Sequence, residues 1–440
     1  MRKRYIYLLL SAGVLWCSPI WAQEGSDVLF GRVTCGGHGV PYATLQLQGT
    51  SVGVACNDDG EYSFKVPAGH KQDTVVVRSM GYNQTKRTVA DLLKNGNVRL
   101  VRHTVDLRTV EVKSWRSADR LLRAAVARID SNYQQRTAIS TFFYRDWRAV
   151  DGELYLFDEA VMDIKRTGYS KYAKKMAYGF SSTRREMGTN YKTLLKHRLL
   201  VYDRNLLDGK VDDPAGVDEM MSYADNEEFY DPVSTPQATF SLSRHMVAQH
   251  MFESIREFDA DDVAYYLLRS VGPCHVVKAK MHYEYIIRKS DLAIVSITAV
   301  MDSINVESPN DAWVNVDYNR MMMAADSSVW RYDVREGKYT LTRYYNRQTV
   351  SLGTGGPWHG NVKQRWQRCV EWTLTDFRMG GDDMHGSVIA VKPQSVEGAF
   401  GTSDFSSDFW GQYNSIPIDS QPLQLLKEKL EIIKTRHEKN

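Results

Sequence analysis

Hydrophobic and polar positions alternate in short segments along residues 28–112. Leu29 to Val33 predicts a first strand. Leu45 and Leu47 fall on one face of a strand over Ala43 to Leu47, with Thr44 and Gln46 on the other. Tyr62, Phe64 and Val66 alternate with Ser63 and Lys65, and Thr74 to Arg78 is β-branched. Between these runs stand turn residues: Gly36-Gly37 with Gly39, Asn57-Asp58-Asp59-Gly60, Pro67-Ala68-Gly69 and Gly81-Tyr82. Asn, Asp and Gly tolerate positive φ and so place turns there. Turns recurring every 8–12 residues or so predict a small β-sandwich.

The pattern then changes period. Leu121, Leu122, Ala125, Ile129 and Tyr133 repeat at helical spacing, which predicts a helix over 116–136 with Ser117 as its N-cap. Thr141 to Arg148 and Glu153 to Ile164 predict a hairpin around Asp151-Gly152. Residues 182–230 are polar and mixed and read as helical pieces and loop. Val247, Met251, Ile255 and Phe258 share a helical face over 245–258. A meander follows: Val276 to Lys280, His282 to Arg288, the alternating Ala293 to Met301, Ser328 to Val334, Tyr339 to Tyr345 and Arg368 to Leu374. Sequential strands with short turns imply antiparallel pairing. Leu423, Leu426, Leu430 and Ile433 predict a closing amphipathic helix. The fold class is therefore mainly β: an N-terminal sandwich, then a larger antiparallel β-rich (α+β) domain with amphipathic helices. A curved sheet of this kind either fills its inner face or leaves a groove for apolar ligands or peptides.

The start of the chain has its own logic. Arg2, Lys3 and Arg4 precede an apolar run from Tyr5 to Trp16, then Pro19 and Ala22. This is the make-up of a secretory signal, expected over residues 1–22. Cys17 raises lipidation, but Trp16 before it is bulky for that processing. The organisation expected is signal 1–22, sandwich 23–113, linking helix 114–137 and β-rich domain 138–440. Removing the signal takes three Lys/Arg and no Asp/Glu, leaving 53 of each. A neutral chain offers no global field for nucleic acid. No later stretch is long and apolar enough to cross a membrane as a helix. Cys35, Cys56, Cys274 and Cys369 remain, and export permits disulfides. Cys35 with Cys56 is the pair expected within one small unit, against four free thiols.

The N-terminal motifs resemble a known family. Gly31-Arg32-Val33, Gly39-Val40-Pro41, Gly49-Thr50, Asn57-Asp58-Asp59-Gly60 and Gly81-Tyr82 stand in the order and spacing of the carboxypeptidase regulatory-like domain. Cys56-Asn57 departs from that family's usual Thr-Asp. The resemblance covers about a fifth of the chain. It implies a transthyretin-like β-sandwich without catalytic residues of its own. Such domains accompany some metallocarboxypeptidases and also precede outer-membrane receptors. A weaker resemblance follows: the helix ending in Asn132-Tyr133 and the strand with Phe143-Tyr144-Arg145 are similar to the start of an uncharacterised domain found after such modules.

Candidate chemistry is sparse. His250 and Glu253 have the His-x-x-Glu spacing of a zinc peptidase, with His359 or His385 as a third ligand. The blander reading is a solvated or capping pair. Gly353-Thr354-Gly355-Gly356-Pro357 lacks the Lys-Ser/Thr of a phosphate loop and reads as a turn. Trp358, His359 and Trp366 read as an aromatic rim or as packing. Asp382-Asp383 reads as a polar turn, and Glu227-Glu228 and Asp261-Asp262 face no defined cleft. No catalytic, cofactor-binding or metal residue is assigned. The function expected is a non-catalytic envelope binding or assembly protein, periplasmic or outer-membrane-associated. Its partner would be an envelope protein, a peptide or an apolar ligand. The alternatives are a zinc metallocarboxypeptidase or its accessory, and a component of outer-membrane nutrient uptake.

Overall fold

Alternating apolar residues close the N-terminal unit into two small sheets. A computed structural model describes residues 27–50, 52–79, 81–102, 115–166, 168–169, 191–202, 231–233, 250–260, 263–273, 280–302, 313–316, 319–354, 361–380, 413–414 and 416–418. The first sheet has β1 (Asp27–Cys35), β2 (His38–Gly39), β5 (Glu61–Val66) and β8 (Val98–Arg99); β1 pairs with all three others. The second runs β4 (Gly53–Ala55), β3 (Thr44–Leu47), β6 (Thr74–Arg78), β7 (Thr85–Thr88). Leu45, Leu47, Phe64 and Val66, the alternating positions, are all fully buried between them. Each such side chain contributes roughly 1.5–3 kcal/mol on burial. Helix α1 (Val89–Lys94) starts at Thr88, whose side chain accepts from the Asp91 amide.

The Asn57–Gly60 turn is built as its residue types suggest. Asn57 Oδ1 accepts from the amides of Asp59 (3.1 Å) and Glu61 (2.8 Å). Gly60 takes φ +78°, and a Cβ there would lie 2.4 Å from the Val33 carbonyl oxygen.

A second sheet system of 11 strands dominates the rest. Its strands are β9 (Ala138–Val150), β10 (Glu153–Arg166), β11 (Tyr191–Tyr202), β12 (Met251–Ala260), β13 (Val263–Pro273), β14 (Lys280–Arg288), β15 (Ile294–Asp302), β16 (Trp313–Val316), β17 (Asn319–Arg335), β18 (Lys338–Thr354) and β19 (Asn361–Met379). The order is β11-β10-β9-β19-β18-β17-β15-β14-β13-β12, with β16 on β17, and all pairs are antiparallel. The expected hairpin is present, with Asp151 (φ 51°) and Gly152 (φ 86°) as its two turn residues. The late strand β19 inserts beside the early strand β9, so both lie inside the sheet.

Helices α2 (Trp115–Ala127) and α3 (Ile129–Asn132) bury Ala118, Leu122, Ala125 and Ile129 against one face of this sheet. Tyr133 follows, wholly buried, its hydroxyl donating to the Ile294 carbonyl at 2.6 Å. Its ring packs on Tyr169, Tyr332 and Tyr339. That face is filled here, not left as a groove.

Five expectations are corrected. Ser117 lies inside α2 and is not its cap, and the helix breaks at Arg128 instead of running on to 136. The stretch from Met251 is strand β12, not helix: its ladder with β13 buries Ile255 and leaves Met251 exposed, which a helical face would have hidden. Within 182–230, Tyr191–Tyr202 is strand β11, held by β10. Gly353 and Thr354 end β18, where they pair with Val362 and Asn361 of β19, and Gly355-Gly356-Pro357 lie outside the described residues. Cys35, Cys56 and Cys369 are free thiols. Cys35 ends a strand of the first sandwich sheet, whereas Cys56 follows β4 of the second, so the expected bridge would have to cross the core. The signal, Cys17, Cys274, the strand over 276–279 and the closing helix lie outside the described residues.

The tight Gly60 site makes a sharp prediction. Gly60→Ala meets both positive φ and a backbone clash, and costs more than the roughly 1–3 kcal/mol of φ strain alone. Gly69→Ala shares positive φ (+89°) but has open space, so it should cost less. Urea unfolding of the two variants checks the order.

Candidate functional site

Strand β9 is buried along its whole length on both faces, yet carries Arg145, Asp146 and Arg148. Opposite residues of an antiparallel pair share a face. Arg145 stands opposite Glu159 of β10 and opposite Glu371 of β19, and Glu371 stands opposite Tyr345 of β18. One row of side chains thus crosses four strands. Arg145 donates to Glu159 through Nε (2.9 Å) and Nη2 (2.7 Å), and its Nη1 lies 3.7 Å from Glu371. Arg343 of β18 also donates to Glu371. Burial raises the Glu159 carboxyl above the usual carboxylate range, and Arg145 only partly offsets this.

The other face holds a second cluster. Arg148 and Arg368 stand opposite each other and both donate to Asp146, at 2.8 and 3.0 Å. Burial alone would raise that carboxyl; the two guanidiniums outweigh it and hold Asp146 below its ordinary value. Beside it, Asn346 donates to Asp326 (2.7 Å) and Ser328 (2.8 Å).

The first row lies under the sandwich. Tyr42 sits at φ 59°, a left-handed conformation rare for a bulky residue. Its ring lies 3.7 Å beneath the Arg343 guanidinium and 5.3 Å from the Tyr345 ring. Among the described residues, Arg343 Nε and Nη1 have no hydrogen-bond acceptor, and the Tyr42 ring face covers the guanidinium. A desolvated cation–π contact contributes on the order of 2 kcal/mol. Tyr345 donates to Asp58 of the Asn57–Gly60 turn at 3.3 Å. A small cavity of about 10 Å3 is lined by Tyr42, Asn57, Arg145, Tyr345, Cys369 and Glu371, among others, and has room for about one water molecule. Desolvation pushes the buried Cys56 thiol well above its ordinary range, so it is no ready nucleophile.

The zinc-ligand pair is not assembled. His250 is buried, its Nδ1 3.0 Å from Ser270 Oγ and its ring 4.5 Å from that of Tyr283. Glu253 is exposed, 4.0 Å from His282. In a strand, residues three apart point to opposite sides unless a bulge intervenes. The ladder shifts register between Phe252 and Ser254, and the two side chains still end in different settings. Trp366 is wholly buried and packs edge-on against Tyr155, 5.4 Å away, so it belongs to the core. His359, His385, Trp358, Asp382-Asp383, Glu227-Glu228 and Asp261-Asp262 lie outside the described residues. Sequence reasoning missed Tyr42, Arg145 and Arg343. The available signal was Phe143-Tyr144-Arg145-Asp146-Trp147-Arg148, whose charges interrupt an otherwise aromatic strand.

Asp146 sets a pH signature. Its folded carboxyl is depressed, so its stabilisation is complete above the unfolded value of about 3.9 and is lost as pH falls below it. Asp146→Asn removes the charge shared by two buried guanidiniums. It should cost about 3–5 kcal/mol at neutral pH and flatten the acid limb of the stability curve. Denaturant melts from pH 7 to pH 3 check both; an unchanged acid limb would refute the assignment.

Comparison with known proteins adds one firm finding. Residues 29–112 match the family model described as CarboxypepD_reg-like domain. No curated protein matches the chain. A DUF1329 family protein from Desulfovibrio piger ATCC 29098 is 9% identical, with 62% of this chain and 95% of that one covered and a TM-score of 0.24. A protein of unknown function from Bacteroides fragilis NCTC 9343 is also 9% identical, with 80% and 95% covered and a TM-score of 0.14. Neither score carries an argument. The sandwich topology and the family match agree: residues 29–112 of this chain are a carboxypeptidase regulatory-like domain.

Proposed function

We propose that this chain is a non-catalytic binding or assembly protein of the cell envelope, in which the regulatory-like domain is a docking module for the large sheet. The observation that carries the reading is the junction itself. Arg145, Glu371, Tyr42 and Tyr345 face one another across the two units around a cavity the size of a water, and Arg343 stacks on the Tyr42 ring. Groups used in this way fix a geometry; they do not line an open substrate cleft. The basic and apolar start of the sequence supports export. The zinc-peptidase alternative loses its nearest ligand pair, since His250 and Glu253 occupy different environments.

Two measurements on the chain from its own host test this. Cell fractionation should place it in the envelope, with residues 1–22 absent by intact mass. Recovery in the cytosol with the N-terminus intact would sink the location. Metal analysis of untagged protein should give no stoichiometric zinc. Zinc-dependent peptide cleavage abolished by His250→Ala would overturn the non-catalytic reading.

A further inference from the structure

A short distant segment seals the junction. Asn414 pairs with both main-chain groups of Lys65 in β5: its Oδ1 accepts from the Lys65 amide (2.7 Å) and its Nδ2 donates to the Lys65 carbonyl (3.0 Å). One side chain thereby imitates a neighbouring strand at the sandwich edge. Lys65 Nζ donates to the Tyr413 carbonyl at 2.7 Å, and Tyr413 donates to Thr375 of β19 at 2.9 Å. Arg145 donates to the carbonyls of Ile416 and Pro417. Ile416 is buried between Ala55 of the sandwich and Phe143 of the large sheet. Ile418 packs on Trp147 and Tyr345.

These contacts outline a cleft that holds a short peptide segment. Its floor is apolar, its walls supply a strand edge and a guanidinium, and its specific demands are an Asn and, two residues on, a branched aliphatic. The segment is also only partly buried. Among its described residues only Ile416 is fully buried; Tyr413, Asn414, Pro417 and Ile418 are half-buried. Arg145 keeps Glu159 as its partner if the segment leaves, so departure strands no buried charge.

We propose that this cleft is a peptide-recognition site that the chain occupies with its own residues 413–414 and 416–418, and that a segment of a partner protein with the same Asn-x-Ile-Pro chemistry competes for it. The proposal rests on the binding reading above and names its partner class. The test uses the full chain carrying Asn414→Ala and Ile416→Ala, with a fluorescent peptide of residues 411–420 as probe. The variant should bind the peptide saturably, about tenfold or more tighter than the wild type, whose cleft is filled. A peptide with Asn414→Ala should bind the variant at least about tenfold more weakly. Absence of binding, equal binding by variant and wild type, or indifference to the Asn would each overturn it. Hydrogen exchange on the wild type covers the case of a misfolded variant. The Lys65 amide should exchange by local opening, about tenfold or more faster than the Phe143 amide. Equal protection would mean the segment never leaves and would overturn the proposal. Zinc-dependent turnover alongside peptide binding would refute only the non-catalytic reading. A failed peptide test with the chain in the envelope and free of zinc would refute only the cleft.

Discussion

A strand buried on both faces has nowhere to send a charge. Strand β9 carries Arg145, Asp146 and Arg148 under this constraint, and each must be answered by its neighbours. An uncompensated buried ion costs several kcal/mol, so pairing across the ladder is compulsory. Glu159 and Glu371 answer on one face, and Asp146 answers Arg148 and Arg368 on the other. These rows are in phase only in the observed register. A one-residue slip would carry every charge to the wrong face. The ionic rows therefore pin β10, β9 and β19 more tightly than their apolar positions could, since Phe142, Phe143, Tyr144 and Trp147 make both faces of β9 apolar.

The same rows decide where the sandwich sits. Arg145 and Arg343 place two guanidiniums on one face, and Glu371 lies between them. Among the described residues Arg343 Nε and Nη1 find no acceptor, and the Tyr42 ring covers the guanidinium. Holding Tyr42 at positive φ costs on the order of 1–3 kcal/mol, which the desolvated ring contact offsets. The strain therefore belongs to the docked arrangement. It is borne at the turn where the family pattern has its Gly-x-Pro, here Gly39-Val40-Pro41.

The sandwich was legible because its chemistry is local. Period-two alternation and the Asn57–Gly60 turn are set by residues within a few positions of one another, and the structure follows them. The Asp151-Gly152 hairpin was legible for the same reason. The failures share one cause, non-local pairing. Met251, Ile255 and Phe258 fit a helical face, but β13 offers a ladder that helix formation would forgo. Tyr191–Tyr202 reads as a mixed polar stretch until β10 lies beside it. The junction was the least legible of all. Arg145 meets Glu371 across more than two hundred residues, and Lys65 meets Asn414 across 349. No spacing rule reaches that far, although Arg, Asp and Arg amid aromatic residues in one strand already required partners from somewhere.

This long reach also separates the roles of the two bonding types at the junction. The ionic rows join strands that are neighbours in the large sheet, and their loss would disturb that sheet directly. The contacts of Asn414 and Lys65 join two units that each have their own core, through hydrogen bonds worth about 1 kcal/mol apiece. The rows lie inside one unit, whereas these bonds lie between the units, beside the Tyr42–Arg343 contact. At this junction the main-chain groups of Lys65 and the guanidinium of Arg145 hold the short segment that carries Asn414 and Ile416.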